Sequence, residues 1–327
     1  MRTIDWADGA VVIIDQTALP DELRMLRLST VEDLVGAIRR LAVRGAPALG
    51  VAGALGVALA ARQHPDDPDA RAESVKAVGT ARPTAVNLAR GADRAAGRLA
   101  DGPDAVLAEA LRVRDEEIAS SEAQGRLGAD LVASMCAAPV RVLTHCNTGA
   151  LAAVVGGTGL AVVAELHRRG ALGEVIASET RPLLQGARLT AWELGRLGIP
   201  FRVAVDGAGA FLMSRGEVDA VIVGADRICA NGDVVNKVGT FAHALGARRA
   251  GIPFLVVAPE STLDRDTPDG GAVEIEDRGA DEVLAFRGVR TAPSGARAVN
   301  PAFDVTPADL VTAIVTDRRV ITPPAKP

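Results

Sequence analysis

VRVLT (140–144), EVIAS (174–178), FRVAV (201–205), DAVIVG (219–224) and PFLVVA (253–258) decide how this chain folds. Each is a short, nearly unbroken apolar run, the pattern of a strand buried on both faces. Helix-like stretches separate them, at 149–168, 187–197, 208–215 and 236–250. Strands alternating with helices at this spacing predict an α/β fold with a doubly wound parallel sheet, Rossmann-like, with right-handed crossovers. Ligands of such sheets bind outside the carboxyl ends of the strands, so the chemistry is expected there.

Upstream the pattern is mostly helical. VVIID (11–15) reads as a strand, and VEDLVGAIRRLAV (31–43) carries apolar residues at helical spacing. A turn at RGAP (44–47) opens an apolar helix, with Pro47 suited to a first-turn position. QHPDDPDA (63–70) and ADGPDA (100–105) are breaks, and a long helical stretch runs from Ala105 to about Met135. The chain therefore divides into a smaller, mainly helical N-terminal domain (1–130) and a Rossmann-like catalytic domain (131–327). The final ITPPAKP reads as a frayed tail.

Composition narrows the partners. Only 2% of the 327 residues are aromatic, six Phe and two Trp with no Tyr, which argues against base-stacking platforms and aromatic cages. A net charge of −5 disfavours nucleic acid and anionic membrane surfaces while leaving room for a local site for a small anion. The most apolar stretch, 45–61 between Arg44 and Arg62, is shorter than the ~20 residues that span a bilayer. MRTIDWADGA lacks a signal-peptide core, and three scattered cysteines make neither a disulfide framework nor a zinc spacing. The expected location is cytoplasmic.

The strand ends supply the candidates. THCNTGA (144–150) places Cys146 past the first strand and before a predicted helix, whose N-terminus favours thiolate. The residue is either a reactive thiol or a small core residue. His145 alternates to the opposite face and reads as a packing residue. Asp226, after VIVGA, is either a loop carboxylate or an acid/base whose pKa burial raises. Asp206 ends the third strand and is a weaker candidate, whereas Asp219 begins its strand at the opposite edge. Asn236 and Lys237 are expected to open a helix, a favourable place for phosphate. Arg44 lies in a turn entering a helix, and Arg82 in extended backbone before Pro83. Singly these cations read as solvated charges; together they converge on one phosphate dianion. DGAGAF (206–211) has Leu212 where GxGxxG needs glycine, so no dinucleotide site is predicted.

LAVRGAPALGVAGALGVALA, ARPTAVNL, THCNTGALA, ETRPLLQGARLTAWEL, VDAVIVGADRICANGDVVNKVGT and NPAFDVTP together resemble the methylthioribose-1-phosphate isomerase family. That family shares a superfamily with the regulatory subunits of translation initiation factor 2B, and the likeness extends from about residue 10 to residue 323. It implies an aldose–ketose isomerisation in methionine salvage, with Cys146 and Asp226 catalytic. It places substrate binding on Arg44, Gly45, Ala46, Arg82, Gln185, Asn236 and Lys237. It further implies a homodimer with no required metal or organic cofactor.

The chain departs from the family pattern at VDGAG (205–209) and at Arg90, both expected to reshape the pocket end away from the phosphate. The alternatives are isomerases of 5-deoxyribose 1-phosphate or ribose 1,5-bisphosphate, a non-catalytic regulatory subunit, or a bare sugar-phosphate-binding module. The last two leave the Cys146–Asp226 pair unused.

Overall fold

The computed structural model of the protein describes residues 1–82, 85–286 and 288–323. The N-terminal part opens with an antiparallel sheet of β1 (Ile4–Ala7), β2 (Ala10–Ile14) and β3 (Met25–Leu28), of which only the middle strand is evident in the sequence pattern. Helices α1 (Val31–Arg39), α2 (Ala46–Gln63), α3 (Pro68–Gly79), α4 (Val86–Ala96) and α5 (Pro103–Met135) follow. The Thr30 hydroxyl accepts the Asp33 amide at 3.1 Å and caps α1, whose Val31, Leu34, Val35 and Ile38 face inward at the expected spacing.

α2 is the centre of this part. It is long and apolar enough to cross a membrane, yet fourteen of its eighteen residues are buried in the fold, which makes it a core helix. Small side chains let its neighbours approach: a Cβ on Gly91 of α4 would stand 1.9 Å from the Gly50 carbonyl oxygen of α2. The scarcity of aromatics is thus a packing property of glycine- and alanine-faced helices.

Next come β4 (Val140–Thr144), α6 (Gly159–Arg168), β5 (Leu172–Ser178), α7 (Ala191–Arg196), β6 (Phe201–Ala204), α8 (Gly209–Ser214) and β7 (Ala220–Val223). β8 (Arg227–Cys229), β9 (Val234–Lys237), α9 (Thr240–Ala250), β10 (Phe254–Val257) and β11 (Leu263–Asp264) continue the chain. It closes with α10 (Asp281–Leu284), β12 (Ala285–Phe286), β13 (Val289–Arg290), β14 (Phe303–Thr306), β15 (Ala313–Val315) and β16 (Val320–Ile321).

The main sheet has the order β6-β5-β4-β7-β10-β15-β16, parallel except for the last strand. Counting its parallel strands along the chain gives 3-2-1-4-5-6, the doubly wound order, with the switch point between β4 and β7. All five strands expected from the sequence are present.

Three expectations are corrected. Asn236 and Lys237 do not open a helix; they end β9, and α9 starts at Thr240. The physical reason is a second sheet, β11-β8-β9-β14, in which Asn236 pairs with Asp304 and Lys237 with Phe303. The helix predicted directly after Cys146 is also absent: 146–149 is a loop, a single 3-10 turn spans Ala150–Ala152, and α6 begins at Gly159. In the tail, Ile321 pairs with Ile314, while residues 324–327 of ITPPAKP lie outside the described residues. The expected division at 130/131 falls inside α5.

α5 also carries an acid out of its ordinary range. Burial, with Asp317 nearby, pushes the Glu117 carboxyl up to about 8, and its Oε1 has no hydrogen-bond partner. The folded state therefore holds a proton that the unfolded chain releases near 4.5, so stability is lost as pH rises from there through 8. Glu117→Gln is expected to raise Tm at pH 8.5 relative to the parent and to change it little at pH 4.5. Thermal melts at the two pH values check this, and equal shifts at both would refute it.

Candidate active site

One recess lies at the switch point. Its walls include Arg44, Gly45, Ala46, Arg82, Cys146, Gln185, Asp226, Asn236 and Lys237, so the nine expected residues come together from six parts of the chain. The space is about 750 Å³ including its open mouth. Cys146 arrives just beyond β4 and Asp226 just beyond β7, the two strands that flank the reversal of strand order.

Cys146 is held in an unusual backbone conformation, with φ +61°. Two threonine hydroxyls fix it: Thr180 Oγ1 accepts the Cys146 N–H at 2.8 Å, and Thr190 Oγ1 donates to the Cys146 carbonyl at 2.6 Å. A non-glycine residue in this region persists only where its surroundings determine it, and such residues concentrate at functional sites. Asp206 does not line the recess. It accepts hydrogen bonds from the Ser178 hydroxyl and from the Thr180 and Arg181 amides, the latter two at 2.7 Å each, and so shapes the turn that presents Thr180. Burial raises the Asp206 pKa, but these donors outweigh it and hold the carboxyl below its usual range.

His145 points away from Cys146, as alternation requires. It is fully buried, with Nε2 2.8 Å from the Val238 carbonyl and Nδ1 3.3 Å from Nε2 of His243. Burial pushes its pKa down to about 4, so it is neutral and structural. Asp219 lies at the far edge, paired with Arg141 at 2.5 Å.

Arg44 and the start of α2 form the opposite wall. Gly45 has φ +93°, and a Cβ there would stand 2.4 Å from the Ala152 carbonyl oxygen, so the turn accepts only glycine. Arg44 Nη2 donates to the carbonyl and to Oδ1 of Asn147, at 2.9 and 3.0 Å. Lys237 Nζ donates to the Ala302 carbonyl at 2.6 Å and lies 4.7 Å from the centre of the Phe303 ring. Asn236 Nδ2 donates to Thr240 Oγ1 at 2.9 Å.

Among the described residues, the charged walls are Arg44, Arg82, Lys237 and Arg278 against Asp226. Burial raises the Asp226 pKa, opposed by Lys237, Arg82 and Arg44, and burial wins. Burial likewise lowers Lys237 against the pull of Cys146 and Asp226. Arg82 and Arg278 share Glu276, at 3.8 and 3.1 Å, and Arg278 also pairs with Glu282. Gln185 Oε1 and Thr148 Oγ1 are buried in the walls without hydrogen-bond partners. Polar atoms buried in this way mark places a ligand can satisfy.

Several contributors were not anticipated. Arg278 sits in EDRGADE, where nothing distinguishes it from a surface charge. Asn147 and Thr148 belong to the THCNTGA motif but were not singled out. Phe303 also lines the recess, one of the few aromatic rings in the chain. Arg90 is a correction too: its Nη1 donates to the Ser261 carbonyl, its Nη2 is 3.9 Å from Asp264, and it does not line the recess. Gly207 and Ala208 do not line it either, and Pro83 and Thr84 of ARPTAVNL lie outside the described residues. Beside the recess a larger one shares Leu41, Arg44, Leu183 and Gln185, with Leu19, Pro20, Leu184 and Phe286 among its walls. Among the described residues, no three His, Cys, Asp or Glu side chains gather as a metal site would need.

An α/β chain with this strand order and this recess belongs to the Initiation factor 2 subunit family, which it matches over residues 42–323. It is 52% identical to a methylthioribose-1-phosphate isomerase of Anaeromyxobacter sp. (strain K), across 98% of this chain and 93% of that protein. It is 53% identical to a probable bifunctional methylthioribose-1-phosphate isomerase/methylthioribulose-1-phosphate dehydratase of Nocardia farcinica; the match covers 98% of this chain but spans 60% of that longer protein. The crystal structure of 5-methylthioribose 1-phosphate isomerase from Pyrococcus horikoshii superposes with a TM-score of 0.91 at 40% identity, covering 98% of this chain and 92% of that one.

Proposed function

We propose that the protein is an aldose–ketose isomerase that converts 5-methylthioribose 1-phosphate to 5-methylthioribulose 1-phosphate, a reaction of methionine salvage. The observation that carries this reading is the convergence of Cys146 and Asp226 on one recess with four cations. A regulatory subunit or a bare binding module has no use for that pair.

The chemistry assigns the groups. C1 of the substrate is locked as a phosphorylated hemiacetal, so the ring must open at its own oxygen while the phosphate stays attached. Asp226, protonated because burial raises its pKa, donates to the ring oxygen as the bond from C1 breaks. Cys146 acts as the base: its sulfur takes the proton from C2 to give a cis-enediol and returns it to C1. The C2 hydroxyl proton passes to Asp226 as the ketone forms, which restores both groups. Arg44, Arg82 and Lys237, with the amide ends of α2 at Gly45 and Ala46, hold the phosphate dianion. Gln185, Asn236 and Thr148 face the sugar hydroxyls. The adjoining recess, where Leu19, Pro20, Leu184 and Phe286 stand beside Arg40, Arg188, Asp21 and Asp281, takes the methylthio group.

The same reading makes the protein a cytoplasmic homodimer. The dimer rests on the family resemblance, and the location on the free thiols and the buried α2. It treats the chain as two domains that meet along α5, supported by an apolar core drawn from residues 4–110 with Val154.

The test is turnover of three sugar phosphates followed by phosphorus NMR. The methylthio substrate is expected to give the highest kcat/KM. 5-Deoxyribose 1-phosphate, which lacks a small apolar group, should fall about 10–200-fold lower. Ribose 1,5-bisphosphate, which would place a bulky dianion among walls of mostly apolar surface that also carry Asp21, Asp281 and Glu282, should fall lower still. Absence of ketose product from the methylthio substrate would overturn the function.

A further inference from the structure

Behind the recess, and outside its walls, lies a buried carboxylate that the chemistry above does not use. Glu193 is on α7, 7% exposed. A π-helical turn at Gly186–Thr190 precedes α7; such turns re-aim the side chains that follow them. Glu193 Oε1 accepts from Asn147 Nδ2 at 2.7 Å and from the Leu151 amide at 3.4 Å. The loop fits around it so closely that a Cβ on Gly149 would stand 2.4–2.6 Å from the carboxylate atoms.

The consequence reaches Arg44 through one amide group. A primary amide has a donor end and an acceptor end. With Nδ2 committed to Glu193 and 3.3 Å from Thr190 Oγ1, Asn147 must turn Oδ1 toward Arg44, where it and its own carbonyl receive Nη2. Without an acceptor at 193, the amide is free to invert and present N–H donors to a guanidinium, which accepts nothing. Cys146 is anchored separately, because Thr190 rather than Glu193 holds its carbonyl. Loss of Glu193 therefore loosens the phosphate-gripping arginine while leaving the thiol's main anchor in place.

We propose that Glu193 is a positioning residue that fixes Arg44 through the Asn147 amide and so sets affinity for the substrate phosphate. The inference rests on the isomerase reading for its kinetic readout, and a binding readout stands apart from it. Glu193→Leu is expected to raise KM ~10-fold with kcat within about threefold, the split that marks lost uniform binding. The dissociation constant for ribose 1-phosphate by calorimetry should rise by a similar factor. Glu193→Gln keeps an acceptor oxygen at the same reach and should restore both values to within about threefold of the parent. In an Arg44→Ala background, Glu193→Leu should change KM less than about twofold, because the two residues act as one unit.

Unchanged KM and affinity in Glu193→Leu would overturn the proposal. So would a loss confined to kcat, or a full tenfold effect that persists without Arg44. If the leucine variant does not fold, Glu193→Asp carries the test: it keeps the charge but shortens the reach, and parent-like KM and affinity would refute the relay. A parent that binds ribose 1-phosphate but turns over no substrate refutes the isomerase function and leaves the calorimetric comparison to decide Glu193.

Discussion

Asp226→Asn is expected to lower kcat by ~10²–10⁴, the usual cost of losing one proton-transfer group, without raising KM. The second half of that expectation follows from the charge pattern. Among the described residues, Asp226 is the single carboxyl in the recess wall facing Arg44, Arg82, Lys237 and Arg278. Burial already keeps that carboxyl protonated, so the amide changes no charge facing the phosphate dianion and substrate should bind about as tightly. The same cations explain how the acid is readied. Lys237, Arg82 and Arg44 pull the Asp226 pKa down against the larger effect of burial. A bound dianion neutralises them, so that pull weakens and the carboxyl becomes easier to keep protonated. In the parent, kcat should fall on the alkaline side as the protonated acid is lost, and the asparagine variant should lack that limb. Steady-state kinetics across pH 5–9 test this. Near-parent kcat in the variant, or a loss seen only in KM, would remove Asp226 from the acid role.

The strands that carry this pair were legible because parallel strands covered on both faces have no polar side to show. β4, β5, β7 and β10 therefore read as nearly continuous apolar runs, and the ends of β4 and β7 announced Cys146 and Asp226; β6, the edge strand, leaves Arg202 and Val203 exposed and was legible from its short apolar run alone. β9 was not legible. VVNK has all four residues buried; Val234 and Val235 pair with the nearby β8, but Asn236 and Lys237 take their partners from β14, more than sixty residues later. A local reading saw a helix start in the same residues, since nothing near Lys237 indicates the partner strand. The shift matters chemically. On β9, Lys237 is held by the Ala302 carbonyl and the Phe303 ring, not by a helix terminus.

Arg278 was illegible for a different reason: it enters from an irregular loop whose charges look like any solvated surface. Arg90 failed in the opposite sense. Its motif context suggested the recess, but α4 turns it toward Ser261 and Asp264. Motifs fixed which segments meet, and only tertiary packing fixed which side chains face the space between them.

Cys146→Ser is expected to cost a further large factor, again ~10²–10⁴ in kcat, because a hydroxyl cannot serve as the base at C2. The substitution is nearly isosteric, and the Thr180 and Thr190 anchors bear on the backbone rather than on sulfur, so the loop should keep its shape. A matching melting temperature would confirm that chemistry alone was lost. The role can be separated from a direct hydride shift with substrate deuterated at C2. If Cys146 carries the hydrogen, it is held for a time on sulfur in a recess open at its mouth, and part of the label should exchange with solvent before reaching C1. A hydride shift moves the label from carbon to carbon, retains all of it, and asks only that the oxygens be polarised. Partial washout in the parent together with collapse of turnover in the serine variant is the expected result. Complete retention at every pH, with substantial turnover in Cys146→Ser, would leave Asp226 and the cations as the whole catalytic apparatus and reduce Cys146 to a wall of the pocket.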